Sequence, residues 1–259
     1  MKSLVGKRAC VTGASAGIGR ATALRLAQMG ADVVVLARRQ DRLNDLVDEV
    51  TAQGGNMSAQ SIDLSELESL RDLMKNLLAH GPINILVNNA SGPPPGRLLE
   101  ATVADFQAAL GTHLFAAQTL VQTCLPGMAE SGYGRIINVI STSVREPIPN
   151  LGVSNTVRGA MASWSKTLSR ELPSGVTVNN VLPGFTDTER LSALKAHLAQ
   201  TRGVTEAEVE AAWLATVPEG RLGQPSEVAA AIGFLASPEA GFIRGVNLAV
   251  DGGRTTSIA

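Results

Sequence analysis

The sequence predicts a single doubly wound α/β domain, with a central parallel sheet of about seven strands and helices on both faces. Three observations predict it. Short apolar, β-branched runs alternate with amphipathic stretches of helical spacing from residue 7 onward. A glycine cluster, Gly13 to Gly19, directly follows the first of the apolar runs. No tandem repeat, low-complexity segment or linker interrupts residues 1–259, so one domain is expected over the whole length.

The elements follow in order. Lys7 to Thr12 reads as a short strand bounded by glycines, and Ala21 to Met29 as a helix with apolar residues at helical spacing. Ala31 to Leu36 (ADVVVL) reads as a strand buried on both faces, and Gln40 to Gln53 as an amphipathic helix. Met57 to Ile62 is strand-like. Leu64 to His80 is helical, with Ser65 as its expected N-cap. Ile83 to Val87 is a strand, Val103 to Met128 a long helix, and Arg135 to Ile140 a strand. Leu151 to Leu172 is helical and Val176 to Leu182 a strand. The least regular stretch, Phe185 to Leu222, is polar with helical pieces at Leu191 to Ala199 and Glu206 to Ala215. Right-handed crossovers between such units place helices on both faces, and ligands then bind at the carboxyl ends of the strands. A substrate lid is expected at about residues 187–217, because this polar segment follows a strand end and lacks a strong core face.

Composition narrows the partners. The formal net charge is −1, and lysines and arginines are scattered apart from Arg38, Arg39 and Arg42. No basic excess points to nucleic acid or an anionic membrane surface. The two cysteines, Cys10 and Cys124, read as buried thiols in a reducing compartment, and no Cys or His spacing suggests a metal. Met1 to Leu4 leads almost at once into a strand, and no apolar run approaches the roughly 18 residues of a membrane span. A cytoplasmic protein without membrane association is therefore expected.

The glycine cluster carries the first chemical signal. Thr12-Gly13-Ala14-Ser15-Ala16-Gly17-Ile18-Gly19 lies between a first strand and a first helix. Glycines there let the chain turn sharply and bring backbone N–H groups close to a pyrophosphate, at which the helix aims its positive end. With this loop the chain resembles the short-chain dehydrogenase/reductase family, and the resemblance runs from residue 5 to about 253. Further matches stand in that family's order: Asp63-Leu64, Asn88-Asn89-Ala90, Pro183-Gly184 with Thr188, Gly223 to Val228, and Asp251-Gly252-Gly253. The general likeness is to 3-oxoacyl-carrier-protein reductases and related carbonyl reductases. It implies a Rossmann fold. It also implies a dinucleotide held by Gly13, Ser15, Ala16, Gly17, Ile18 and Gly19, with the adenine near Asp63 and Leu64. Asn89 and Ala90 would line the same cleft, and Pro183, Gly184 and Thr188 would wrap the nicotinamide.

The end of the second strand bears on cofactor choice. An acidic residue there would bind the ribose 2′-hydroxyl and favour NAD. This chain has Ala37 followed by Arg38 and Arg39. Guanidinium groups pair with a 2′-phosphate, so NADP(H) is expected to be preferred and NAD(H) possible. A solvated basic patch opening a helix is the plainer alternative.

The resemblance also exposes a departure. Relatives that reduce carbonyls place an Asn, a Ser, a Tyr and a Lys around the reacting oxygen. Counting back from Ser169-Arg170-Glu171-Leu172, the Tyr position is Ser154 and the Lys position is Arg158. Counting forward from Arg135 to Ile140, the Ser position is Ser141, thirteen residues before Ser154. The Asn position falls on His113, so only Ser141 keeps its type. The single tyrosine, Tyr133, sits before the fifth strand, where it should be out of reach. Serine is a far weaker acid than tyrosine, whose pKa is near 10. An arginine holds ribose hydroxyls but stays charged and relays no proton. His113 or Arg145 is the expected replacement acid. The ordinary alternatives are a satisfied buried histidine and a solvated Arg145–Glu146 pair.

Three functional readings follow. The first is an NADP(H)-dependent oxidoreductase on a small carbonyl or alcohol, with Ser141 positioning the oxygen and Ser154 and Arg158 orienting substrate and ribose. The second is a cofactor-binding protein without hydride transfer. The third is a non-redox lyase or isomerase in the same pocket. The family resemblance further implies a homo-oligomer, tetramer or dimer, joined through the long helices 103–128 and 151–172. Ala160, Met161, Ala162 and Trp164 give the second of these a face suited to close packing, the plainer alternative being that they all face their own sheet.

Overall fold

The computed structural model describes residues 2–258; Met1 and Ala259, the ends of the expected 1–259 domain, lie outside the described residues. Seven strands form one sheet: β1 (Arg8–Thr12), β2 (Asp32–Ala37), β3 (Asn56–Ser61), β4 (Ile85–Asn88), β5 (Gly134–Val139), β6 (Val176–Pro183) and β7 (Asn247–Val250). Their order is β3-β2-β1-β4-β5-β6-β7, and every neighbouring pair is parallel. The helices are α1 (Gly17–Gln28), α2 (Gln40–Ala52), α3 (Leu67–Leu78), α4 (Val103–Leu110), α5 (Ala116–Glu130), α6 (Gly152–Glu171), α7 (Glu189–Arg202), α8 (Glu206–Leu214) and α9 (Pro225–Ala236).

The alternation of side chains along β2 shows why helices must cover both faces. Val33 and Val35 join Leu26, Leu43, Leu46 and Ile232 in a core beneath α1, α2 and α9. Val34 and Leu36 point the other way, into a core with Met74, Leu86, Leu120 and Met128 beneath α3 and α5. Both thiols are free and lie in this second core, and burial pushes the Cys10 thiol up to about 12. Neither is available as a nucleophile at neutral pH.

Strand order reverses between β1 and β4, which sets the crevice where a ligand sits. The loops leaving these two strands are tied together there. Thr12 Oγ1 donates to Asn89 O at 2.8 Å and accepts from Asn89 N at 2.9 Å.

Four differences from the sequence reading have physical causes. Helix α3 starts at Leu67 rather than Leu64, and Ser65 is not its N-cap: Ser65 N and Oγ both donate to Asp63 Oδ1, a local turn that competes with the helix. The long helix over 103–128 is interrupted by a π-helical turn, Gly111–Phe115, between α4 and α5. Strand β7 and helix α9 carry no clear sequence period: β7 is only four residues long, and α9, with mostly small and apolar residues, has no polar face to set one. Met161 and Ala162 pack into their own domain with Ala117, Ile140 and Leu182, so they offer no face to a partner.

Candidate active site

The phosphate loop has the geometry its glycines predict. Gly13 (φ +61°) and Gly17 (φ +53°) both lie in the left-handed region. A Cβ at Gly19 would stand 2.2 Å from Gly13 O, so the turn closes only with glycine. The N-cap of α1 is Ala16, which has no polar side chain, and no acidic residue occupies the first turn. The leading N–H groups of a twelve-residue helix are thus left to an anion. This is the arrangement a pyrophosphate requires, and the residues present fit one. Ile18 turns its side chain to the core and leaves only its backbone to the loop.

Around the loop the other cofactor candidates converge. The Thr188 methyl would lie 3.1 Å from a Cβ at Gly17. Thr188 Oγ1 accepts from Leu191 N at 3.2 Å and caps α7. Gly184 N donates to Val250 O at 3.0 Å, joining the end of β6, at Pro183, to β7. Arg39 Nε and Nη2 donate to Ser15 Oγ at 3.2 and 3.0 Å, so this guanidinium faces the loop. Its Nη1 is 3.6 Å from Glu189, which also pairs with Arg42. Arg38 is largely exposed, 3.8 Å from Asp63. The Asp63 carboxyl is held below its ordinary pKa, first by the two Ser65 hydrogen bonds and only lastly by Arg38. Ala37 is buried at the end of β2 and leaves no carboxylate beside these arginines.

At the reacting end a small cavity is lined by Thr12, Leu64, Asn88, Ala90, His113 and Arg158, among others. Arg158 Nη1 donates to Val139 O at 2.9 Å and Nη2 reaches Ala90 O at 3.5 Å. Burial, and secondarily the charge of Arg190, bring the Arg158 pKa down to about 10, which leaves it a cation at neutral pH. His113 sits in the π-helical turn and is buried. Burial, then the charge of Arg158, push its pKa down to about 2. These surroundings favour the neutral ring of His113, because no carboxylate compensates the desolvated charge.

The remaining candidates divide. Ser141, at the end of β5, accepts from Ser143 N at 3.0 Å. Ser154 lies one turn before Arg158 on α6. Arg145 donates from Nη2 to Asn247 O at 3.1 Å and does not line the small cavity. It forms no pair with Glu146, whose Oε1 instead accepts from Thr256 and Ser257 near the C-terminus. Tyr133 is remote, with its hydroxyl donating to Ala236 O at 2.6 Å.

Two features escaped the sequence reading. Asn88, Asn138, Asn180 and Asn247 stand in register across β4 to β7 and bond side chain to side chain at 2.8, 2.9 and 2.7 Å. Their signal was present: an asparagine recurs in each of four strands otherwise rich in apolar residues. Arg190, on the first turn of α7, donates from Nη2 to Pro93 O at 2.8 Å and so reaches the loop after β4. It carried no signal beyond a charge two residues after Thr188.

Among the described residues no group of three or more His, Cys, Asp or Glu side chains could hold a metal. No helix of the described chain is long and apolar enough to cross a membrane.

Comparison with known proteins agrees with this architecture. Residues 13–255 match the family profile described as enoyl-(acyl carrier protein) reductase. The chain is 37% identical over 255 residues to the 3-oxoacyl-[acyl-carrier-protein] reductase FabG of Vibrio cholerae, covering 97% of this chain and 98% of that one. Its structure superimposes on L-sorbose reductase from Gluconobacter frateurii, complexed with NADPH and L-sorbose, with a TM-score of 0.93 at 28% identity, covering 100% of both chains. It superimposes on the actinorhodin polyketide ketoreductase with NADPH with a TM-score of 0.91 at 30% identity, covering 97% of this chain and 98% of that one. With its glycine loop, its all-parallel sheet and a match over nearly its whole length, the chain belongs to the short-chain dehydrogenase/reductase family.

Proposed function

We propose that this protein is an NADP(H)-dependent oxidoreductase acting on a small carbonyl or alcohol, with an altered proton-transfer apparatus. The observation that carries the reading is the uncapped N-terminus of α1 beside an arginine pair, Arg38 and Arg39, with no acidic residue at the end of β2. Relatives whose structures contain NADPH support the same cofactor.

NADP(H), when bound, supplies or accepts the hydride. The chain's own residues do the rest. Backbone N–H groups of the glycine loop bind the diphosphate, and Arg38 with Arg39 meets the 2′-phosphate. Thr188 and Gly184 close over the nicotinamide half. Arg158, braced on Val139 O, orients the ribose and places a fixed positive charge beside the reacting oxygen. Ser141 positions that oxygen through its hydroxyl, and Ser154 lines the substrate side. Residues 187–217 act as a lid. Electrostatic stabilisation by Arg158 thus replaces a phenolic acid, and the oxygen takes its proton from water. The loss of a general acid costs about 10²–10⁴ in rate, so ordinary ketones should react slowly.

A second reading, a cofactor-binding protein without hydride transfer, is favoured by two features: burial disfavours a protonated His113, and Arg145 donates to Asn247 O. A screen of carbonyl compounds with NADPH, and NADH as control, separates the two. Substrate-dependent NADPH oxidation supports the oxidoreductase; tight NADPH binding with no oxidation across the screen supports the second reading.

A further inference from the structure

The reacting end of the cleft holds two guanidinium groups and no anion to balance them. A Cβ at Gly92 would stand 3.0 Å from Arg190 Nη2 and 3.4 Å from Arg158 Nη2, so both groups reach the same point beside the loop after β4. Their hydrogen-bond partners are backbone carbonyls: Val139 O and Ala90 O for Arg158, and Pro93 O for Arg190. The ion pairs among the described residues include neither arginine. Each is held below its ordinary pKa by burial, and the only charge perturbing Arg158 is that of Arg190. Each guanidinium has five N–H donors, so several on each remain to be met. Arg158 is buried and Arg190 is exposed, and two like charges that converge with one of them desolvated are costly unless an anion joins them.

We propose that Arg158 and Arg190 form an oxyanion clamp, and that the substrate of this enzyme is a carbonyl or alcohol compound bearing a carboxylate or similar compact oxyanion. Planar guanidinium groups match that geometry in a bidentate way. Gly92 leaves the space beside them open: a Cβ there would press on Arg190 Nη2 and touch Arg158 Nη2. His113, which shares a small cavity with Arg158, has its pKa lowered by burial and adds no competing charge at neutral pH. Asn88, whose buried Oδ1 has no partner, lines the small cavity beside Arg158. This inference rests on the oxidoreductase reading for the reacting group, but the clamp itself is a binding claim. It separates this chain from a reductase of neutral thioesters, since a thioester presents no charge to such a pair.

The test uses the full-length protein saturated with NADP⁺, so that cofactor phosphates are already satisfied. Calorimetry measures the binding of pyruvate, 2-oxobutyrate, acetoacetate and levulinate, each against its methyl ester, with inorganic phosphate as a further probe. At least one acid is expected to bind about 10-fold or more tighter than its ester, and Arg190→Gln should weaken that acid by about 10- to 100-fold, with little change for the ester. Phosphate binding tighter than every acid would assign the clamp to a phosphate-bearing substrate of the same class. Arg158→Gln is the second variant; Arg190→Gln, at an exposed position, guards against a failure to fold. Acids and esters binding alike, with phosphate no better, or acid selectivity surviving both substitutions, would overturn the clamp. NADPH oxidation is followed separately. Acid-selective binding without turnover supports the clamp and removes the oxidoreductase reading, whereas turnover with no preference for acid over ester removes the clamp alone.

Discussion

Arg38 and Arg39 follow a buried Ala37, and each has a different neighbour: Asp63 for the first, Ser15 for the second. Arg38→Ala is expected to weaken NADP(H) selectively, by about 1.5–3 kcal/mol, the worth of a charged hydrogen bond. Calorimetry with both cofactors checks this, and an equal loss for NAD(H) would contradict a 2′-phosphate role. On α6, Ser154→Tyr with Arg158→Lys should raise the reduction of ordinary ketones, by up to about 10²–10⁴ if the phenol is well placed. Ser154→Tyr alone should do less, because no lysine lowers the phenol's pKa. His113 gives a pH signature. Its pKa falls from 6.5 in the unfolded chain to about 2 in the fold, so the unfolded state binds more protons between these values. Stability attributable to His113 therefore rises with pH across that window and falls as pH drops below about 6.5, by up to about 1.4 kcal/mol per unit. His113→Gln should flatten that part of the urea-denaturation profile between pH 6.5 and 4.5; an unchanged slope would show the ring to be better solvated than its burial implies. The identities at 113, 141, 154 and 158 were legible because residue type and interval are sequence properties. The protonation state of His113 was not, since it depends on which side chains the fold brings to the cavity.

The strands and helices show the same division. The alternation in β2 and the glycines before α1 are local patterns, and both elements formed where those patterns lie. The asparagine ladder is not local: it exists only because β4 to β7 align Asn88, Asn138, Asn180 and Asn247 on one level. Asn138 is fully buried, with its amide shared between two neighbours. Asn138→Ala should cost about 1–3 kcal/mol for each neighbouring amide left unpaired, read as a shift in urea midpoint. A loss within about 0.5 kcal/mol would mean the ladder is replaced by water. The π-helical turn at Gly111–Phe115 likewise has no period of its own, yet it brings His113 inward on an otherwise continuous helix. Helices α7 and α8 cap themselves through Thr188 and Thr205, while Ala199 and Val209 are the only residues on them that are buried. Residues 187–217 should accordingly exchange amide hydrogens fastest among the internal helical segments, and NADP⁺ should slow them. Exchange there as slow as in α5, with or without cofactor, would remove the lid.

At the scale of the whole molecule, the seven-stranded parallel sheet and the family match over residues 13–255 make this a short-chain dehydrogenase/reductase fold. Family membership was legible from ordered motifs spread over almost the full length. The cationic pair was not, because Arg158 and Arg190 are separated by a strand and meet only across the loop at Gly92. The helices expected to join protomers turn Met161 and Ala162 inward, which leaves Phe115 and Val103 as the exposed apolar groups on the first of them. Assembly into a dimer or tetramer is still expected, and sedimentation showing only a 26.9 kDa species would contradict it. The most direct test of the central claim is single-turnover transfer of deuterium from NADPH deuterated at the nicotinamide C4 to a short oxo acid. Slow but complete transfer to the carbonyl carbon is expected, faster with NADPH than with NADH. Tight NADPH binding with no deuterium in any product, across oxo acids and their neutral esters alike, would contradict it.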